Sequence, residues 1–257
     1  MKRPPVVAVA GLGLIGGSLA RALTRAGWRV VGFDADGAVR RRARRARAVA
    51  EAPPSLERAV EGADVVVLAA PPAANVRLLR RLDGRGLLVT DVGSVKGPIC
   101  RVAATLRGVR FVGGHPVAGN EGRGFAAGDA SLFSGRAWVL TPGARTAPRD
   151  LAAVARLARA AGARPVLMRP AEHDRALAYL SHLPQLVAWA LLDAARRDAV
   201  AGRHLAAAGP GFRDMTRLAH SPPALWRDVL AGNAAPVRRA LRAFARALRR
   251  LQPPAPP

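Results

Sequence analysis

Val6-Val7-Ala8-Val9-Ala10-Gly11-Leu12-Gly13-Leu14-Ile15-Gly16 is the stretch on which the reading of the whole chain turns. Five apolar residues without polar alternation suit a parallel strand buried on both faces. The run ends at Gly11, and residues with helical spacing follow from Ile15 to Ala26, stopped by Gly27. Glycines between a strand and a helix serve a dinucleotide turn in three ways: a tight bend, close approach of backbone to pyrophosphate, and close packing of helix on strand. The helix start adds free N–H groups and a partial positive charge for the phosphates. Gly11, Gly13, Leu14, Ile15 and Gly16 are therefore predicted to bind the cofactor. Such a hexad alone is a weak signal and also fits a merely structural turn. Here a second predicted strand, Arg29–Phe33, leads into Asp34, 18 residues past Gly16, where a carboxylate can bind the adenosine ribose hydroxyls. Because a carboxylate repels a 2′-phosphate, NAD is expected rather than NADP. The competing feature is the run Arg40–Arg47, read as one exposed helix face whose guanidinium groups are not fixed in place.

Working outward, further strands are predicted at Asp64–Ala69, Leu87–Thr90, Val109–Val112, Ala137–Leu140 and Pro165–Met168. Helical segments lie between most of them, notably Ser55–Glu61 and Arg149–Ala161. This alternation implies an α/β fold with a doubly wound, Rossmann-type parallel sheet over residues 1–170. The character then changes. Ala171–Ala195, Leu225–Leu230 and Pro236–Leu251 carry apolar residues at helical spacing, so 171–257 is read as a smaller all-helical domain for substrate binding and dimerisation. Its apolar positions, including Leu177, Leu180, Leu183, Leu186, Val187 and Leu191, exceed what one helix face requires, which predicts a homodimer. Pro253–Pro257 reads as a frayed tail, and no appended regulatory domain is expected.

Half of the 257 residues are hydrophobic, enough for a sizeable core. No apolar run is long enough to span a bilayer, so no membrane partner is expected. Met1–Pro5 runs into the first strand without a signal-peptide pattern. The single cysteine, Cys100, makes no internal disulfide and points to a reducing, cytoplasmic home. One cysteine and scattered histidines give no metal-ligand cluster, so no metal is expected. The formal net charge of +24 invites a nucleic-acid reading. The basic residues are spread along the chain, however, and only Lys2 and Lys96 are lysine. With Ala, Gly and Pro also overused, this pattern favours solvated arginine over a phosphate-gripping groove.

In open parallel sheets, ligands bind beyond the carboxyl ends of the strands. Three segments occupy such ends. Leu68-Ala69-Ala70-Pro71-Pro72 makes a rigid turn that places Ala70 and Pro71 beside the cofactor. Thr90-Asp91-Val92-Gly93-Ser94-Val95-Lys96 closes the next strand, and Phe111-Val112-Gly113-Gly114-His115-Pro116 the third. His115 is the only histidine in the first 170 residues, and Pro116 restricts it to an extended backbone. A neutral imidazole there suits acceptance of an alcohol proton near neutral pH. The alternative is a capping or packing histidine.

Five motifs now stand in order: the Gly11–Gly16 turn, Asp91–Lys96, Gly114–Gly119, Ser181-His182-Leu183-Pro184, and Gly211-Phe212-Arg213-Asp214-Met215-Thr216-Arg217. In this order the chain, from Val6 to about Leu251, resembles the prephenate and arogenate dehydrogenases of tyrosine biosynthesis. The resemblance implies NAD-dependent oxidative decarboxylation of a cyclohexadienyl acid. It makes His115 the catalytic proton acceptor, and Ser94 the serine that holds it. Arg217 becomes the carboxylate-binding arginine, and His182 and Glu121 pocket residues. Trp226 resembles a tryptophan near the substrate. Asn120 stands where many relatives have threonine, and Gln185 where many prephenate-specific relatives have a second histidine; both blur prephenate against arogenate. Arg213 and Arg217, four apart on an expected helix, also fit an exposed arginine coat. His173, His204 and His220 are read as surface or structural. Two other classes stay open. A β-hydroxyacid-type dehydrogenase shares the fold but relies on a lysine in its helical half, where this chain has none. A basic, non-catalytic NAD- or nucleic-acid-binding protein would bind in a steeply salt-dependent way.

Overall fold

The structure is a computed structural model that describes residues 3–120 and 122–251. It divides into two compact units, Met1–His173 and Asp174–Pro257.

The first unit is built on one seven-stranded sheet. Its strands are β1 (Val6–Ala10), β2 (Arg29–Phe33), β3 (Val65–Leu68), β4 (Leu87–Asp91), β5 (Val109–Pro116), β6 (Ala137–Pro142) and β7 (Arg164–Leu167). They are ordered β2-β1-β3-β4-β5-β6-β7. Helices α1 (Leu14–Arg25), α2 (Gly37–Arg45), α3 (Leu56–Val60), α4 (Pro72–Arg81), α5 (Gly97–Thr105) and α6 (Pro148–Ala160) fall between the strands. Successive strand side chains point to opposite faces, and both faces here are covered. Val7 and Val9 join one apolar cluster with Leu19, Leu23 and Leu157. Ala8 and Ala10 join the other with Leu56, Leu79 and Leu82. Double burial explains why β1 and β3 read as unbroken apolar runs.

β1 is the switch point of the sheet, because it pairs in parallel with β2 on one side and β3 on the other. The loops leaving β1 and β3 therefore part to opposite faces, where such sheets open a ligand crevice.

The direction of the last two strands departs from the expected all-parallel sheet. β6 runs antiparallel to β5, pairing Val112 with Pro142 and Pro116 with Trp138. β7 then follows β6 in parallel. The cause lies in residues 117–136, which hold only a short 3-10 turn at Phe125–Ala127 among the described residues. A parallel return needs a crossover element, commonly a helix, and none lies among the described residues there. The same pairing lengthens β5 to Pro116, so His115 lies inside a strand rather than after one.

The boundary between the units falls within α7 (Pro170–Leu177). A π-helical turn, Ala178–His182, leads into α8 (Leu183–Arg197). Pro184 supplies the physical reason, since it has no N–H for Leu180 and its ring crowds that carbonyl; a wider turn relieves both. α9 (Pro210–Thr216), α10 (Pro223–Gly232) and α11 (Ala234–Arg250) complete the second unit. Ala178, Leu183, Val237 and Ala240 form its buried core. No described helix is long and apolar enough to cross a membrane.

Candidate active site

The β1–α1 turn shows why its glycines are required. Gly11 has φ +101°, and a Cβ there would lie 2.6 Å from the Ala69 carbonyl carbon. A Cβ on Gly16 would lie 1.8 Å from the Gly11 carbonyl oxygen, so the helix can approach the strand only through glycine. Gly13, by contrast, has open space in front of it. It is the N-cap of α1 without a side-chain cap, and no acidic residue lies in the first turn. Uncapped helix-start amides facing open space fit a pyrophosphate. Asp34 is fixed beside them: its Oδ2 accepts from Leu12 N at 2.8 Å and its Oδ1 from Asp36 N at 2.9 Å. Both oxygens keep lone pairs for ribose hydroxyls. These residues fit an NAD-type dinucleotide.

Two neighbours were not legible in the sequence. Asn75, 1% exposed, accepts from Ala70 N through its Oδ1 at 2.9 Å and donates to Leu68 O at 3.3 Å. It thereby clamps the Ala70–Pro71 turn. Arg40 is not a free member of an arginine coat, because it donates to Asp34 O at 2.5 Å and Ala35 O at 3.2 Å. A groove of about 390 Å³ opens there, with Arg40, Arg41, Arg44 and Arg45 among its lining residues.

At the ends of β4 and β5 the determining feature is a buried ion pair. Lys96 and Asp91 are 0% and 1% exposed, and the ammonium donates to the Asp91 Oδ2. Lys96 Nζ also donates to Gly114 O at 2.6 Å. Asp91 accepts in turn from Gly93 N at 2.9 Å and Gly114 N at 3.1 Å. One side-chain pair thus ties the end of β4, the loop carrying Ser94 and the residue preceding His115. The fit is close: a Cβ on Gly114 would lie 2.4 Å from Asp91 O.

His115 is buried, and its Nδ1 lies 2.8 Å from Nε2 of His173. His173 is 0% exposed, so it is not a surface histidine. Ser94 is half-buried in the loop after β4. Asn120 is exposed and turns its Oδ1 back onto Gly122 N at 2.8 Å. Glu121 lies outside the described residues.

In the second unit, His182 ends the π turn and is buried. Its ring stands edge-on to Trp226, 6.0 Å between centroids. Gln185 donates from Nε2 to Leu218 O at 2.8 Å, and Trp189 from Nε1 to Ala219 O at 3.2 Å. These bonds hold the 3-10 turn Arg217–His220 onto α8. Arg217 opens that turn and is exposed, whereas Arg213 lies within α9; the two do not share one regular helix.

A glycine turn at a sheet switch point, a carboxylate at the end of the next strand and a buried histidine at a neighbouring strand end are features of a Rossmann-type dinucleotide-binding fold. Known proteins narrow the class. A family model described as "Prephenate dehydrogenase, nucleotide-binding domain" matches residues 19–167. A second, "Prephenate dehydrogenase, dimerization domain", matches residues 169–253. The Bacillus subtilis prephenate dehydrogenase is 36% identical over 239 residues, 88% of this chain and 64% of that protein's length. The solved Aquifex aeolicus prephenate dehydrogenase, in complex with hydroxyphenyl propionate and NAD+, has 32% identity and a TM-score of 0.89 over 97% of this chain and 90% of that one. Synechocystis arogenate dehydrogenase has 32% identity and a TM-score of 0.85 over 96% and 90%. The chain belongs to the prephenate dehydrogenase family, and it spans 64% of the length of the Bacillus subtilis and Lactococcus lactis relatives.

Proposed function

We propose that this chain catalyses NAD-dependent oxidative decarboxylation of prephenate to 4-hydroxyphenylpyruvate, and that it works as a homodimer through its helical unit. The observation that carries the reading is His115, buried at the β5 end with its Nδ1 against His173. With Nδ1 against His173, Nε2 is the nitrogen we assign to take the ring hydroxyl proton. When bound, NAD supplies the hydride acceptor, and loss of the ring carboxylate as carbon dioxide completes the aromatic ring. The Ser94 hydroxyl contacts the reacting centre. Arg217 pairs with a substrate carboxylate through its planar fork, while His182, Asn120, Glu121 and Trp226 line the substrate pocket. Gly11, Gly13, Leu14, Ile15, Gly16, Ala70 and Pro71 hold the dinucleotide, with Asp34 on its ribose. The dimer is supported by apolar surface on the helical unit, where Leu180 is 77% and Leu251 78% exposed.

A second reading, arogenate as the substrate, is favoured by Gln185. Its amide is oriented by Leu218 O, which can only accept, so Oε1 is left as a buried acceptor with no partner among the described residues. A buried acceptor is satisfied by a donor, which the ammonium of arogenate has and the keto group of prephenate lacks. Incubating the full chain with NAD and each ring acid in turn, following reduced nicotinamide and product, tests both readings. Reduction with neither acid would refute them.

Two variants probe the binding residues. Asp34→Ser should raise the NADP-to-NAD ratio of kcat/KM about tenfold or more, because the repulsive carboxylate is gone while Arg40 stays in place. A parent protein that already prefers NADP would overturn the cofactor assignment. Arg217→Ala should raise the KM of the ring acid about tenfold, the scale of one charge-assisted hydrogen bond, with Arg217→Lys recovering only part. Arg213→Ala is the control for lost positive charge. Equal, mild effects of the two alanine variants would return Arg217 to the solvated coat.

A further inference from the structure

We propose that Phe125 is a positioning residue: it docks the segment that follows β5 onto the dinucleotide helix α1, and so fixes Asn120 for the ring acid. The inference rests on the preceding reading of Asn120 as a substrate-pocket residue.

Two glycines stand together in α1, and the dinucleotide turn explains only the first. Gly16 is required by the close approach of Gly11 O. Gly17 meets a different neighbour: a Cβ there would lie 2.9 Å from Cδ2 of Phe125. Glycine inside a helix weakens it relative to alanine, so it calls for a packing reason. The Phe125 ring supplies that reason. Phe125 is 5% exposed, and the guanidinium of Arg21, one turn further along α1, stands 4.4 Å from its ring centroid. A cation over a ring face is attracted to it. Ser18, fully buried, accepts from Asp129 N through its Oγ at 2.9 Å. A Cβ on Gly128 would lie 3.2 Å from Ser18 N, so the backbone of this segment lies directly against the helix. The Ser131 amide and hydroxyl hold the Asp129 carboxyl below the usual carboxylate range, and Arg25 and Arg21 of α1 add to the effect.

From this anchor the path to Asn120 is short. A Cβ on Gly122 would lie 2.5 Å from the Ala127 Cβ, so Gly122 is pressed against the 3-10 turn Phe125–Ala127. Gly122 N in turn donates to Asn120 Oδ1 at 2.8 Å. Gly124, with φ +68°, makes the bend before Phe125 in a conformation that L side chains rarely adopt. The helix that offers its first amides to the pyrophosphate therefore also seats the segment carrying Asn120. Both substrates are placed from one element.

Gly17→Ala and Phe125→Ala attack the same contact from its two sides. The first pushes the ring off α1 without altering any residue assigned to the dinucleotide or the ring acid; the second removes the ring. In each, the KM of the ring acid should rise about tenfold, as loss of a placed contact gives, while kcat and the KM of NAD stay within about twofold, a change worth well under one such contact. Phe125→Leu, which keeps most of the apolar bulk, should recover part of the loss. A merely structural role would lower the melting temperature and move both KM values together. The double variant should be no worse than Phe125→Ala alone, because the added methyl then meets a vacated place. Additive losses would overturn the proposal, as would a ring-acid KM unchanged in Phe125→Ala. Hydrogen exchange of residues 122–131 in the full-length chain, followed by mass spectrometry, reads the anchoring without catalysis. Exchange there should quicken in Gly17→Ala, and unchanged exchange would also overturn the proposal. Should Phe125→Ala not fold, Gly17→Ala carries the test. If the parent oxidises neither ring acid, the reading of the enzyme fails, and the exchange data still decide whether Phe125 anchors the segment.

Discussion

His115→Asn lowers turnover by roughly two to four orders of magnitude, the usual share of general base catalysis, while NAD binding stays close to that of the parent. Asparagine keeps much of the size and polarity of imidazole and can still meet His173, so packing at the β5 end is preserved. What it lacks is a nitrogen able to take a proton near neutral pH. Because the glycine turn follows β1 and Asp34 follows β2, away from the strand that carries His115, the dinucleotide site is left intact. Steady-state rates and an NAD titration of the same preparation separate the two effects. Turnover within a few-fold of the parent would show that His115 is not the base.

The glycine turn after β1 and the carboxylate after β2 were legible in the sequence because their demands are local. Gly11 and Gly16 are dictated by contacts a few residues away or across one strand, and Asp34 follows a short apolar run. The order of the elements was legible for the same reason, since each strand or helix announces its own period. The reversal of β6 was not, because it goes with a connection over 117–136 that holds only a 3-10 turn among the described residues, and such a connection leaves no periodic pattern. The partners of the site histidines were hidden for a different reason. His173 is 58 residues from His115 and Asn233 51 from His182, and no spacing rule reaches across those distances. Lys96 was conspicuous as one of two lysines, yet its sequence motif says nothing about burial. Arg40 was read as solvated because most arginines of so basic a chain are; its bond to Asp34 O is a tertiary fact.

Lys96→Met should be the most destabilising of the substitutions considered, by about 3–5 kcal/mol, the range for removing one partner of a buried ion pair. Methionine fills a similar length, so the loss is electrostatic rather than a cavity. Asp91, 1% exposed, would keep the amides of Gly93 and Gly114 but lose its counter-charge. Gly114 O would lose the donor that steadies the backbone just before His115. Turnover should therefore fall together with stability, even though Lys96 has no assigned part in the chemistry. The double variant Asp91→Asn, Lys96→Met separates the charge from the brace. A neutral amide can still accept from one glycine N–H, and replacing a whole buried pair is often close to neutral. Denaturant titrations should thus place the double variant well above Lys96→Met in stability, while its turnover stays depressed because the bond to Gly114 O is absent in both. A single variant within about 1 kcal/mol of the parent, less than a buried unpaired charge costs, would mean the pair is not a structural brace. A double variant as unstable as the single one would mean the cost lies in packing around Lys96 and not in the stranded carboxylate.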